Sequence, residues 1–418
     1  MKVYLRTFGC RANHYDTEAV RAMLESGGHA IVTSVGDADA AVFNSCAVTA
    51  GAEADLRQAV RRAARRQPDL KSVVMGCAAA LDDGRPPAMR IRSLPTVHDV
   101  VGGADLSAVA SALGVHSVPA DTLTRHQSGT RALLRIQDGC DEHCTFCATT
   151  MARGANRSRP PDEIVREAAA LADGHSEIVI TGIHIGTYGA DIGTTLGALM
   201  TRLVRDVASA RFRLSSIEAT EICPRLEELL VGAPTLVAPH VHAPLQSGSD
   251  RLLRRMGRHW YTIATYSHAV DRLARSMPVL GLGADVIAGF PGETDGDHAA
   301  TLAVVDALPF TYLHVFRYSA RPGTAAERLT DRVHASVAES RAAELRARAA
   351  AKAAAYTSSR AGGLADVVVI GAPHEREAMT GDYLSVSLDD GGAFPRGARF
   401  PARLVAHAGG LAAIPVSS

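Results

Sequence analysis

The chain has 418 residues, 47% apolar and 21% charged, a composition that fits two or three globular domains and excludes a disordered polymer. Its 44 cationic and 44 acidic side chains cancel, so any basic surface for nucleic acid has to be local. No stretch approaches the roughly 18 apolar residues of a membrane span and no signal-like segment opens the chain, so no membrane contact and a cytoplasmic setting are expected.

In chain order, "KVYLRTF" reads as a short strand ending at Gly9-Cys10, and "YDTEAVRAMLESGG" as a helix with acidic residues in its first turn. "AAVFNSC" is a second, buried strand, "AEADLRQAVRRAARRQ" a second helix and "KSVVMGC" a third strand. Strand, turn and helix in repetition imply a Rossmann-like parallel α/β domain. Each of the three strands ends in a cysteine: Cys10, Cys46 and Cys77. The carboxyl ends of parallel strands line one edge, where ligands bind, so three distant cysteines converge there. A lone free cysteine is usually a small buried hydrophobe. Three at equivalent strand ends point to a shared ligand.

Residues 105–130 end in a polar stretch without periodicity and read as a linker. A second βα series begins at Arg131. "RALLRIQDGC", "EIVITGIHIGTYG", "RFRLSSIEAT", "LVAPHVHAPLQSG", "VLGLGADVIAGFPGE" and "YLHVFRYSARPGT" are its strands, with helical runs such as "PDEIVREAAALADG" between them. About six βα units are fewer than the eight of a closed barrel, so a partial (βα)6-type barrel is expected. "VHASVAESRAAELRARAAAKAAAYTSSRAGG" is a long helix whose arginines form either a solvated face or a strip for phosphates. The last sixty residues or so, with short strands broken by Gly, Pro and Asp, read as a small β-barrel. The expected domains are 1–120, 126–355 and 356–418.

The second cysteine group is denser. "GCDEHCTFC" puts Cys140, Cys144 and Cys147 within one loop at the end of a strand. In a reducing compartment such a cluster is more often a metal site than a disulfide framework. Structural zinc wants a fourth ligand, for which His143 and Cys223 are the candidates. A [4Fe–4S] cluster held by three thiolates instead keeps one iron open.

"CDEHCTFC", including the aromatic Phe146, resembles the CxxxCxxC loop of radical S-adenosylmethionine (SAM) enzymes. "TFGCRANHYDTEAV", "VFNSCAVT" and "VVMGC" resemble the amino-terminal domain of the methylthiotransferases within that superfamily. "VHAPLQSGSDRLLRRMGR", "GADVIAGFPGET" and "FRYSARPGT" are similar to that family's barrel signatures, and the tail around "MTGDYLSVSL" to its TRAM module. "TGIHIGTYG" most resembles the branch acting on threonylcarbamoyladenosine beside a tRNA anticodon.

The resemblance implies two [4Fe–4S] clusters, one on Cys10, Cys46 and Cys77 and one on Cys140, Cys144 and Cys147, with SAM as co-substrate. It implies that the first carries the sulfur to be methylated and transferred. The second cleaves SAM to a radical that takes hydrogen from an unactivated C–H, a bond too weakly acidic for a side-chain base. Phe146, Thr181, Gly182, Glu218, Gln246 and Asp285 are implied SAM contacts, with a structural carboxylate as the plainer reading of Glu218 and Asp285. Partners implied are a tRNA substrate and an electron donor such as flavodoxin or ferredoxin. Cys223 reads as a buried hydrophobe or helix-start residue.

Three departures bear on the substrate. Ala148, Thr149, Thr150 and Met151 stand where the family usually has two aliphatic residues and a proline before Ala-Arg-Gly. Ala78, Ala79 and Ala80 replace a Tyr-Ala-Gln run. The tail from Ala361 holds Arg376, Arg396, Arg399 and Arg403 against Asp366, Glu375, Glu377, Asp382, Asp389 and Asp390, a weak balance for binding phosphates. These features support an alternative substrate: a peptide, protein or specialised metabolite.

Overall fold

A computed structural model describes residues 1–84, 86, 90–116, 127–371, 376–388, 394–407 and 409–416. Part of the expected linker (117–126) and the tail acids Glu375, Asp389 and Asp390 lie outside the described residues. The chain forms two compact units. The first comprises Met1–Ser128, Gln137–Arg157 and Ser319–Arg328; the second comprises Gly129–Ile136, Ser158–Tyr318 and Leu329–Ser418.

The first unit is built on β1 (Lys2–Thr7), β2 (Ala30–Val32), β3 (Ala40–Ser45), β4 (Lys71–Gly76) and β5 (Val97–Gly102). They form one sheet, ordered β2-β1-β3-β4-β5, with every pair parallel. Its helices are α1 (Arg11–Ser26), α2 (Ala50–Arg66), α3 (Cys77–Ala80), α4 (Leu106–Leu113) and α5 (Thr149–Arg153). Alternate residues of the central strands feed opposite faces. Val42, Val73 and Met75 pack with Val20, Met23, Leu24 and Val109 of α1 and α4. Phe43 and Val74 pack with Leu56, Ala59 and Val60 of α2. β3 is buried along its whole length, and its Ala40–Phe43 stretch reads as an apolar run, as parallel strands do.

Two elements differ from the sequence expectation. β2 is only three residues long and β5, "VHDVVG", carries charge, so neither showed a clear period. α1 starts at Arg11, not within "YDTEAV", because the Cys10 carbonyl accepts the His14 amide at 3.1 Å and closes the first turn. Asp16 and Glu18 therefore fall beyond the first turn.

The second unit contains β6 (Ala132–Arg135), β7 (Glu177–Thr181), β8 (Arg211–Leu214), β9 (His240–His242), β10 (Gly281–Ala288) and β11 (Tyr312–Arg317). They are parallel in chain order, as β6-β7-β8 and β9-β10-β11, joined by bridges Phe212↔Val237 and Ser216↔His242. Between them run α6 (Pro161–Ala172), α7 (Leu196–Asp206), α8 (Pro224–Gly232), α9 (Asp250–Arg255), α10 (Ile263–Ser276) and α11 (Asp295–Ala307). This is the partial barrel expected from the sequence.

After α12 (Ala335–Ser359) the chain closes a small barrel from β12 (Leu364–Val369), β13 (Glu377–Thr380), β14 (Ser385–Leu388), β15 (Arg399–His407) and β16 (Gly410–Pro415). Val367, Val386, Leu404 and Leu411 fill it. The barrel is fastened through Glu177, whose carboxylate accepts from Arg211 Nε at 2.7 Å and Arg213 Nε at 2.8 Å. Arg211 reaches on to Asp366, and Arg213 to the carbonyls of Gly381 and Thr380. Among the described residues no helix is long and apolar enough to cross a membrane.

Candidate functional site: two cysteine triads and a polar shell

Cys10, Cys46 and Cys77 follow β1, β3 and β4, which are neighbours in the sheet. The convergence inferred from sequence is therefore real. Gly9 makes it possible: at φ +106° a Cβ there would lie 2.6 Å from Cys46 Sγ, so only glycine lets this backbone approach. The Cys10 thiol donates to Asn13 Oδ1 at 3.3 Å, and Cys77 Sγ lies 4.0 Å from the same oxygen. Asn13 is fully buried and fixed by its own amide, which donates to Asn44 Oδ1 at 3.0 Å and the Ser45 carbonyl at 2.7 Å. The Val48 amide donates to Cys46 Sγ at 3.3 Å.

Burial pushes the Cys46 thiol above its ordinary pKa, and pushes that of Cys77 up to about 11 against the opposing pull of Arg153. Thiolate ligation there has to release protons.

The second triad sits in the loop opened by Gly139. At φ +76°, a Cβ on Gly139 would lie 1.9 Å from the Ala155 carbonyl oxygen, so the residue before Cys140 has to be glycine. The Cys140 amide donates to the Gly154 carbonyl at 3.0 Å and the Cys147 amide to Cys144 at 3.1 Å, which bends the chain around the three thiols. Backbone amides aim at the sulfurs: Glu142 at Cys140 (3.4 Å) and Thr149 at Cys147 (3.4 Å). The Thr145 carbonyl is held by the Ala326 amide at 2.8 Å. All three cysteines, and Phe146, are half-buried, in contrast to buried Cys46 and Cys77.

Sequence reasoning missed the residue that ties the triads together. Arg153, at the end of α5, has a side chain 1% exposed. Its Nε donates to Cys77 Sγ at 3.2 Å, and its terminal nitrogens donate to Asp138 (3.0 Å), Asn13 (3.3 Å) and Asp16 (2.7 Å). The sequence signal for it was the Ala-Arg-Gly step, Ala152-Arg153-Gly154, that follows the cysteine loop.

In the second unit, Thr181 ends β7 and is buried, with half-buried Gly182 following it. Glu218 Oε1 accepts from Arg258, whose guanidinium lies 4.7 Å from the Trp260 ring centre and donates to Tyr261 Oη at 3.0 Å. Burial raises the Glu218 carboxyl above its ordinary value, with Arg258 opposing. Its other oxygen, Oε2, is buried without a hydrogen-bond partner.

Gln246 holds φ at +61°, a strained position for a side-chain-bearing residue and one that clusters at functional sites. Its amide donates to the Asp285 carbonyl at 2.8 Å. Asp285 Oδ1 accepts from His242 at 3.0 Å and His314 at 3.1 Å. Burial alone would raise this carboxyl, but the two histidines outweigh it and hold it well below the usual carboxylate range. Cys223 is half-buried at the N-cap of α8, so the helix-start reading fits.

Two family descriptions match the chain: Uncharacterized protein family UPF0004 over residues 2–97, and Radical SAM superfamily over 134–305. The threonylcarbamoyladenosine tRNA methylthiotransferase MtaB of Bacillus subtilis is 36% identical over 359 residues, which span 81% of this chain and 78% of that protein. Its counterpart from Thermotoga maritima is 35% identical, spanning 78% and 77%. The tRNA-2-methylthio-N(6)-dimethylallyladenosine synthase of Sorangium cellulosum is 35% identical, spanning 89% and 82%. Among solved structures, the radical SAM methyltransferase TsrM from Kitasatospora setae superposes with a TM-score of 0.56 over 75% of this chain and 72% of that one, at 14% identity, a likeness of fold.

Proposed function

The chain belongs to the radical SAM methylthiotransferase family, and from that premise we propose that it methylthiolates threonylcarbamoyladenosine in tRNA. The observation that carries this reading is the gathering of six cysteines into two triads inside one compact unit. Cys10, Cys46 and Cys77 would hold one [4Fe–4S] cluster and Cys140, Cys144 and Cys147 another, since thiolates are the ligands such clusters take. The donor sets fit: each triad has backbone amides aimed at sulfur, which favours the thiolate form.

When bound, the clusters and SAM supply the radical that breaks the substrate C–H bond and the sulfur that replaces the hydrogen. The chain's own residues bind and orient. The unpartnered Oε2 of Glu218 suits a buried hydroxyl donor such as a ribose, and Thr181, Gly182, Gln246 and Asp285 would form the rest of the second unit's SAM contacts. Arg258 keeps Glu218 in place through its other oxygen, Oε1.

The relatives reported above are named for tRNA nucleosides, which favours tRNA over a peptide or metabolite substrate. Two of the tail's four arginines are engaged within the barrel: Arg399 is paired with Asp366 at 2.7 Å and Arg403 donates to the Gly362 carbonyl at 2.9 Å. Arg61, Arg62, Arg65 and Arg66 on α2 are exposed and offer a denser local basic strip. Electrons would come from a flavodoxin- or ferredoxin-type donor, and the work would be cytoplasmic.

The test is anaerobic reconstitution followed by iron counting and assay. About eight irons per chain, falling to about four in the Cys140→Ala/Cys144→Ala/Cys147→Ala variant, are expected for two [4Fe–4S] sites. With SAM, reductant and tRNA bearing threonylcarbamoyladenosine, nucleoside mass spectrometry should show its methylthio derivative. Modification of dimethylallyladenosine alone would overturn the substrate.

A further inference from the structure

We infer that Arg153 sets the reduction potential of the cluster on Cys10, Cys46 and Cys77; this rests on the two-cluster reading above. A guanidinium placed only to balance Asp16 and Asp138 would use its terminal nitrogens, and here it does use them for those carboxylates. The inner nitrogen, Nε, points instead at Cys77 Sγ, 3.2 Å away. Asp16 and Asp138 thus act as clamps that aim the fork, and Asn13 adds a third fixed point at 3.3 Å.

The consequence is electrostatic. Arginine keeps its charge at every accessible pH. Placed in a nearly water-free setting against a ligand sulfur, it stabilises the more negative, reduced state of whatever that sulfur binds. Hydrogen bonds to sulfur and local charge are the protein's means of moving an iron–sulfur potential.

The second triad is furnished differently. Backbone amides of Glu142 and Thr149 reach Cys140 and Cys147, the Cys147 thiol meets the Thr149 hydroxyl at 3.0 Å, and the three cysteines are half-buried. The Cys77 sulfur thus has a buried guanidinium against it, supplied by the short helix that follows the loop of the other triad. Arg153 is a positioning and tuning residue, not a catalytic one.

The experiment is an EPR-monitored redox titration of the reconstituted full chain, with each signal assigned from the triple-alanine variant of either triad. Arg153→Gln leaves Asp16 buried without its cation, so it is paired with Arg153→Gln/Asp16→Asn, which removes both charges, and with Arg153→Lys. The Cys10/Cys46/Cys77 cluster should become harder to reduce by at least tenfold in the reduction equilibrium, 59 mV for one electron, in Arg153→Gln and the double variant. Lysine, which keeps charge without the fork, should restore part of the shift, and the other cluster should move less. An unchanged potential in a double variant that retains about eight irons would overturn the inference. Loss of the cluster from the double and lysine variants alike would also overturn it, by making Arg153 a strut. About four irons in the unsubstituted chain would defeat the two-cluster reading itself, and this inference with it, which an unchanged potential would not.

Discussion

Each unit buries arginine, and the two do it for different ends. In the second unit, Arg211 and Arg213 are both fully buried against Glu177, and their remaining donors go to Asp366 and to the carbonyls of Gly381 and Thr380. Those partners are two carboxylates and two backbone carbonyls, all of them parts of the fold itself. In the first unit, Arg153 is also clamped by carboxylates, yet one donor goes to a cysteine sulfur. A buried ion pair is weak support for stability as such, because desolvation cancels much of the attraction. What separates a fastener from a functional cation is the chemistry of the last partner.

The largest effect should come from breaking the fastener. Arg213→Met leaves Glu177 short of a partner and strands two barrel carbonyls, at a cost of about 3–5 kcal/mol on the scale of broken buried pairs. Replacing Glu177, Arg211 and Arg213 together by apolar residues should recover most of it. Urea unfolding of the variants reads both numbers; a single-variant loss under about 1 kcal/mol would mean the network is not what holds the barrel.

A pH series sharpens the same contrast. Desolvation alone would raise the Glu177 carboxyl, but Arg213 and Arg211 outweigh it and hold it well below the ordinary range. The unfolded chain then binds the proton more readily than the folded one. The stabilisation is fully present above the ordinary glutamate pKa and is lost as pH falls through and below it. The stability gap between the native chain and Glu177→Gln should be constant from pH 7 to about 5 and then narrow in acid. A gap that does not depend on pH would show that Glu177 is not acting through its charge.

Much of the molecule was legible because its chemistry sits where the fold repeats. Cys10, Cys46 and Cys77 close adjacent parallel strands, so chain order alone placed them on one edge, and the six barrel strands showed in the alternation of strand-like and helical runs. β2 and β5 were hidden by brevity and charge. Asn13, Asp16 and Arg153 were hidden for a deeper reason: each is an ordinary polar residue on a helix, and its role exists only once α1 and α5 bring it to Cys77. The free oxygen of Glu218 is likewise a property of packing, which fills Oε1 with Arg258 and leaves Oε2 alone.

Exposed arginine supplies the third case and the smallest effect on stability. On α2, Arg61 and Arg65, and Arg62 and Arg66, are like charges one turn apart, exposed and without an acidic partner within 4 Å among the described residues. On α12, Arg346 pairs with Glu339 and Arg348 with Asp306. Like charges at this spacing repel by a few tenths of a kcal/mol, so changing the four α2 residues to glutamine should leave the melting temperature level or slightly raised. Their positive field is available to a polyanion, whereas that of α12 is already spent. Removing it should weaken tRNA binding and flatten the dependence of log affinity on log salt by roughly 0.7–0.9 per lost phosphate contact. Arg346→Gln/Arg348→Gln should change that slope less. Equal slopes in the native and α2 variants would move the tRNA surface away from α2 and return the search to the terminal barrel.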